Sequence, residues 1–186
     1  YTSDNGPWNQ DKYTKNKKGH PKESIFWGSS GPLRNGKGSC YEGGYRLPCI
    51  VRWPGKVPAG RESDAVLATI DFMPTFAKLS DFKIPADRVI DGIDQTDLLL
   101  GNSKKGRETF YFDRAGIRKG KWKYLKAKAH FYGYAREDDR PLEEELYDLE
   151  KDLGETTNLA KKHPKVVAEL RKLTEELPAY RPDEHR

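Results

Sequence analysis

Cysteine and methionine are scarce in this chain of 186 residues, which holds two of the first and one of the second. Two cysteines make no disulfide framework. Cys40 falls in a glycine-rich turn and Cys49 in an apolar stretch, and a small buried thiol is the expectation for both. Long apolar runs are missing as well, and none approaches the length of a membrane span. The four histidines include no pair at metal-ligand spacing, which leaves a zinc site unsupported. Apolar residues make up 35% of the chain and charged residues 34%, against averages of about 45–50% and about 25%. Disorder is not the explanation, because 4 Trp, 10 Tyr and 7 Phe are what disordered chains lack. Long surface loops fit better, together with a core completed by a part of the protein outside this sequence.

The formal net charge is +5, and the excess gathers early, at Lys12, Lys15, Lys17, Lys18 and Lys22. No nucleic-acid-binding motif accompanies these lysines, so nucleic acid is not the expected partner. A solvated loop is the commoner meaning of such a run, and long-range steering of polyanions is the functional alternative.

Hydrophobic patterning divides the chain near residue 105. Before it, Tyr1 to Asn5 reads as a strand end, and residues 7 to 35 as a long loop rich in Gly, Pro, Lys and Asn. Tyr45 to Trp53 reads as a largely buried strand closed by Pro54-Gly55. A helix is predicted from about Asp71 to Leu79, with Phe72, Phe76 and Leu79 at helical spacing and Pro74 tolerated in its first turn. Residues 84 to 102 read as irregular, with Asp91-Gly92-Ile93-Asp94 as a turn that lacks the spacing of a calcium loop.

Beyond Gly106, Thr109 to Phe112 reads as a strand, and Ala115 to Leu125 as a hairpin turning at Lys119-Gly120. Glu145 to Leu149 makes a further strand. His163-Pro164 then opens a helix with proline at its first position and an apolar stripe of Val166, Val167, Leu170, Leu173 and Leu177. A small antiparallel sheet with one terminal helix is the expected ending.

Two segments carry the chemistry. Tyr1-Thr2-Ser3-Asp4-Asn5-Gly6 ends a short β-prone run with adjacent carboxylate and carboxamide oxygens. Such donors suit calcium or magnesium rather than zinc. Neighbours on a straight strand face opposite ways, so both could meet one ion only where Gly6-Pro7 breaks the strand. Taken alone, Asp-Asn-Gly is more often a plain turn. The second segment, Gly36-Lys37-Gly38-Ser39-Cys40-Tyr41-Glu42-Gly43-Gly44-Tyr45-Arg46-Leu47-Pro48, sets a lone lysine between glycines, where ammonium and backbone can both approach an anion. Most Gly-Lys-Gly turns merely expose a lysine. Glu42 and Arg46 flank the Gly43-Gly44 turn and are expected to fix the loop, as an ion pair or through backbone hydrogen bonds.

Both segments resemble the sulfatase family, the arylsulfatase-type enzymes of the alkaline-phosphatase-like superfamily. The likeness continues through Ile50-Val51-Arg52-Trp53-Pro54-Gly55 and Asp71-Phe72-Met73-Pro74-Thr75, and on to Glu145-Leu146-Tyr147-Asp148-Leu149 and Gly154-Glu155-Thr156-Thr157-Asn158-Leu159. It covers nearly the whole chain in family order. The resemblance implies an α/β chain in which residues 1–104 are the C-terminal part of the catalytic domain. Residues 105–186 would be a small C-terminal α+β subdomain.

It further implies that Asp4 and Asn5 hold Ca2+, with Mg2+ as the second choice, and that Lys37 contacts sulfate. His20, in the basic loop, is an additional candidate for substrate contact. The family's Cys/Ser-x-Pro-x-Arg motif, source of its formylglycine nucleophile, is absent here, as are the upstream aspartates and catalytic histidines. The chain therefore looks like a C-terminal piece, inactive by itself. Calcium takes about 6–8 oxygens, so the remaining ligands would come from those aspartates and from the sulfate.

The expected activity of the complete protein is hydrolysis of sulfuric esters, with a sulfated small molecule or glycan as substrate. The alternatives are a phospho- or phosphonate-ester hydrolase of the same superfamily, or a non-catalytic relative that binds sulfated glycans. A secreted, periplasmic or lysosome-like location follows from the resemblance alone, and the oligomeric state stays open.

Overall fold

The computed structural model describes residues 1–8, 28–129 and 141–177. The chain divides into two compact units, one of residues 1–4 and 47–110, the other of residues 5–46 and 111–186.

In the first unit, Thr2 bridges Cys49 in antiparallel fashion, and Tyr1 and Ile50 exchange backbone hydrogen bonds of 2.7 and 2.8 Å. This bridge replaces the longer strand expected over residues 45–53. Pro48 carries no N–H for a ladder, and Ile50, Val51 and Trp53 stay exposed. Cys49 is exposed too, contrary to the expectation of a buried thiol, whereas Cys40 is buried. Helix α2 (Phe72–Leu79) follows a 3₁₀ turn at Thr69–Asp71. It buries Pro74, Thr75 and Ala77 rather than its large residues. Phe72 and Phe76 stack along the other side with ring centroids 5.4 Å apart, and Phe76 is 55% exposed.

Helix α3 (Thr96–Leu100) lies inside the stretch read as irregular. Asp94 Oδ1 accepts from Thr96 N at 2.9 Å and so serves the helix entry, while Gly101, at φ 83°, ends it in the left-handed conformation. Asp94 Oδ2 also pairs with the Lys78 ammonium of α2 at 2.6 Å.

Asp71 organises this unit. Its buried carboxylate accepts from Ala68 N and Ile93 N, both at 2.9 Å, and is gripped by the Arg107 guanidinium, which also donates to Asp91 O. Thr75 Oγ1 donates to Asp71 O at 2.6 Å and accepts from Gln95 N at 2.9 Å, which seats the residue preceding α3 on α2.

Most of the predicted sheet lies in the second unit. Strands β1 (Thr109–Tyr111), β2 (Gly116–Lys119), β3 (Trp122–Leu125) and β4 (Glu145–Asp148) are ordered β1-β2-β3-β4. The β2–β3 hairpin pairs Lys119 with Trp122 and turns at Gly120, φ 56°. The register lines up Ile117, Tyr124 and Leu146 across three strands. This row packs on Val167 and Leu170 of helix α4 (Pro164–Glu175), whose first residue is the expected proline. The opposite face carries Leu125 and Tyr147, which meet Cys40 and Tyr41. Because both faces are covered, all four residues of β4 are buried, though two of them are acidic. Asn158 completes the edge of β4 by accepting from Leu146 N and donating to Glu144 O.

Candidate functional site

Lys37 sits on a loop that backbone packing fixes in place. Its N–H donates to Pro7 O at 2.9 Å, and Gly6 N donates to Gly44 O at the same distance. Gly43 N reaches Arg34 O, also at 2.9 Å. Three chain segments thereby meet with no side chain between them. A Cβ on Gly6 would strike Gly43 O, one on Gly43 would strike Asn35 O, and one on Gly44 would strike Ser39 O. The glycines are there because backbone must approach backbone. Helix α1 (Glu42–Tyr45) forms the far side of this knot.

The Lys37 side chain itself is exposed. Its ammonium stands 5.8 Å from the centroid of the Trp8 ring, within cation–π range. A compact cation on a braced loop can donate to several oxygens of one anion.

The loop is seated on the sheet by a buried charge cluster that sequence reasoning did not find. Lys123 of β3, with 0% side-chain exposure, lies 3.0 Å from Glu42 Oε1 and 2.8 Å from Glu155 Oε1. Its ammonium also stands 4.1 Å from the Phe112 ring centroid. Glu155 Oε2 accepts from the backbone N–H of Glu42 at 2.7 Å, and Arg46 Nε donates to Glu42 Oε2 at 3.1 Å. The expected Glu42–Arg46 pair is therefore present as the outer part of a larger assembly. Burial alone would push the Glu42 carboxyl up, but Lys123 and Arg46 outweigh it and hold it below the usual carboxylate range. At Glu155 burial prevails over the pull of Lys123, and the carboxyl is raised.

A second clasp lies on the other side of the loop. Arg34 stacks 3.7 Å from the centroid of the Tyr41 ring and donates to Tyr147 Oη at 2.8 Å and to Glu155 O at 3.0 Å. Tyr41 Oη donates to Glu145 Oε2 at 2.9 Å. Burial, reinforced by Glu145, raises the Tyr41 phenol well above its ordinary value, so it remains a donor. Cys40, next to it, is pushed by burial to about 12 and serves as packing rather than as a nucleophile.

Of the other candidates, Asp4 is exposed and accepts from Ser3 Oγ at 3.3 Å, while Asn5 is half-buried. The structure brings Asn5-Gly6-Pro7 alongside the Lys37 loop through the backbone bonds just described. His20 lies outside the described residues. The two oxygen donors at positions 4 and 5 are of the kind calcium takes. Among the described residues no three His, Cys, Asp or Glu side chains gather as a metal cluster, so these two could form only part of a coordination shell. His163 stands at the start of α4 against Trp122, as packing at a helix entry. Among the described residues no helix is long and apolar enough to cross a membrane.

Comparison with known proteins gives a consistent match. Residues 36–181 fit the family model for the C-terminal region of N-sulphoglucosamine sulphohydrolase. An N-acetylgalactosamine-6-O-sulfatase of Bacteroides thetaiotaomicron is 36% identical over 94% of this chain and 35% of its own length. Human arylsulfatase A is 33% identical over 93% of this chain and 36% of its own length. A solved structure from work on glycosaminoglycan metabolism by Bacteroides thetaiotaomicron superimposes with a TM-score of 0.69 at 36% identity, over 79% of this chain and 32% of that one. The chain spans about a third of the length of the curated relatives it matches.

Proposed function

The chain belongs to the sulfatase family, and from that premise we propose that the complete protein hydrolyses sulfate esters, with Lys37 as the residue that grips the sulfate. One observation supports the role of Lys37 above others: an exposed ammonium on a loop immobilised by three glycine contacts, bonded through its own N–H to the segment that follows Asn5. Held against a sulfate, the ammonium would donate to its oxygens and offset charge developing on the leaving oxygen.

Asp4 and Asn5 would contribute two oxygens to a calcium ion, magnesium being the second choice, and a formylglycine nucleophile would come from another part of the complete protein. The bound ion would supply Lewis-acid polarisation of the sulfate oxygens. His20 remains a candidate contact at the rim. The division into a catalytic-domain portion, residues 1–104, and a C-terminal subdomain, residues 105–186, belongs to this proposal, as does a secreted, periplasmic or lysosome-like location. The relatives are named for aryl, steryl and sugar sulfates, so the proposed substrate is a sulfated small molecule or a sulfated glycan. The 186-residue chain by itself should turn nothing over.

The test is steady-state turnover of a chromogenic aryl sulfate, and of 6-O-sulfated N-acetylgalactosamine, by the complete protein and its Lys37→Ala variant. Loss of a charge-stabilising donor costs about 10²–10³ in kcat, and that loss is expected with unchanged circular dichroism. Unchanged turnover would dismiss the role. Preference for the matching phosphate ester would move the assignment to phosphoryl chemistry.

A further inference from the structure

The buried charges beneath the lysine loop are hard to explain as a source of stability. Taking two carboxylates and an ammonium out of water costs several kcal/mol per ion, and well-packed apolar residues commonly do as well or better. Such a cluster does supply fixed geometry, because each charge must keep its partners at hydrogen-bond distance.

Here the geometry leads to Lys37. Lys123 and Glu155 hold both the carboxylate and the backbone N–H of Glu42, the first residue of α1. The next two residues of α1, Gly43 and Gly44, pack directly on the Arg34–Gly36 backbone that delivers Lys37. Arg34, at the start of that backbone, donates to the Glu155 carbonyl as well. Glu155 therefore governs both flanks of the lysine loop.

We propose that Lys123, Glu155 and Glu42 form a positioning cluster through which the C-terminal sheet sets the place of the Lys37 ammonium and so the grip on sulfate. This rests on the reading of Lys37 given above. None of the three touches substrate. They act by holding α1 and the loop in one register.

A double-mutant cycle in the complete protein tests it, using wild type, Lys37→Ala, Glu155→Gln and the double variant. The quantities measured are kcat and KM on a chromogenic aryl sulfate and the inhibition constant of inorganic sulfate. Glu155→Gln is expected to raise KM and the sulfate inhibition constant by up to about 10²-fold, the scale of a 1 Å misplacement of a positioned group, with near-UV circular dichroism unchanged. On the Lys37→Ala background it should add nothing, because residues acting through one another are not additive.

Unchanged KM and inhibition constant in Glu155→Gln would reduce the cluster to scaffolding. A full, additive loss on the Lys37→Ala background would likewise overturn the proposal while leaving Lys37 its role. A silent Lys37→Ala would remove the sulfate-gripping role and the cluster's function with it. If Glu155→Gln does not fold, Glu42→Gln, which keeps its backbone N–H for Glu155 but gives up the charge facing Lys123, takes its place in the cycle. An absent or additive effect there overturns the proposal.

Discussion

At the scale of single residues, two buried carboxylates carry opposite burdens. Asp71 is shielded from water, and burial alone would raise its carboxyl. Arg107 and the N–H groups of Ile93 and Ala68 more than compensate, so it lies below its ordinary 3.8. A carboxyl depressed in the folded state contributes stability that is present above 3.8 and lost as pH falls through the lower folded value. Removing one partner of a buried pair costs about 3–5 kcal/mol. Asp71→Asn is accordingly expected to lower the urea midpoint clearly at pH 7. The gap to wild type should narrow as both are taken to strongly acidic pH, and a gap independent of pH would contradict this account. Glu155 is shifted the other way, by burial against Lys123, and its partners explain why it tolerates that position: it accepts from Glu42 N and lies against the Lys123 ammonium.

At the scale of elements, the lysine loop depends on bare backbone. Gly44→Ala would push its methyl group into Ser39 O and Gly36 O. Overpacking of this kind costs about 1–3 kcal/mol, and the carbonyls that must retreat flank Lys37. The expected outcome in the complete protein is a lower melting temperature together with a raised KM for aryl sulfate. An alanine variant with wild-type KM would show that the loop is less constrained than its packing indicates.

Elements with strong periodicity were legible in the sequence. The β2–β3 hairpin, strand β4 and helix α4 with Pro164 at its start all lie where patterning put them. The extent of α2 was also legible, but its orientation was not. Phe72, Phe76 and Leu79 fall at helical spacing, but it is Pro74, Thr75 and Ala77 that are buried, with Asp71 and Thr75 tied to Ile93 and Gln95. Residues 45–53 looked like a strand on β-propensity, but a ladder needs a partner as well as propensity, and the bridge at Cys49 is a single one. Lys37, Asp4 and Asn5 stood out as a motif. Lys123 did not, since a lysine within a hairpin strand reads as solvent-facing until the loop that covers it is known.

At the scale of the whole molecule, the first unit leaves much apolar surface open. Ile50 is 63% exposed, Phe76 55% and Phe82 64%. A groove of about 260 Å³ lies between the Val51–Trp53 segment and helices α2 and α3. Contiguous apolar surface marks a contact region or a hazard for association. The 186-residue chain is therefore expected to brighten a hydrophobic dye strongly, and Phe76→Lys to reduce that signal; a dye response unaffected by the substitution would place the sticky surface elsewhere. The second unit has a different vulnerability, in time rather than space. The partner that pins Glu42 is 113 positions further along the chain, and contacts so remote are slow to form because loop closure precedes any reward. During synthesis, which runs at about 5–20 residues per second, the lysine loop waits for Glu155 to emerge from the ribosome. A message cut short ahead of that codon would yield a protein that still carries Lys37 but lacks the anchor that orders it.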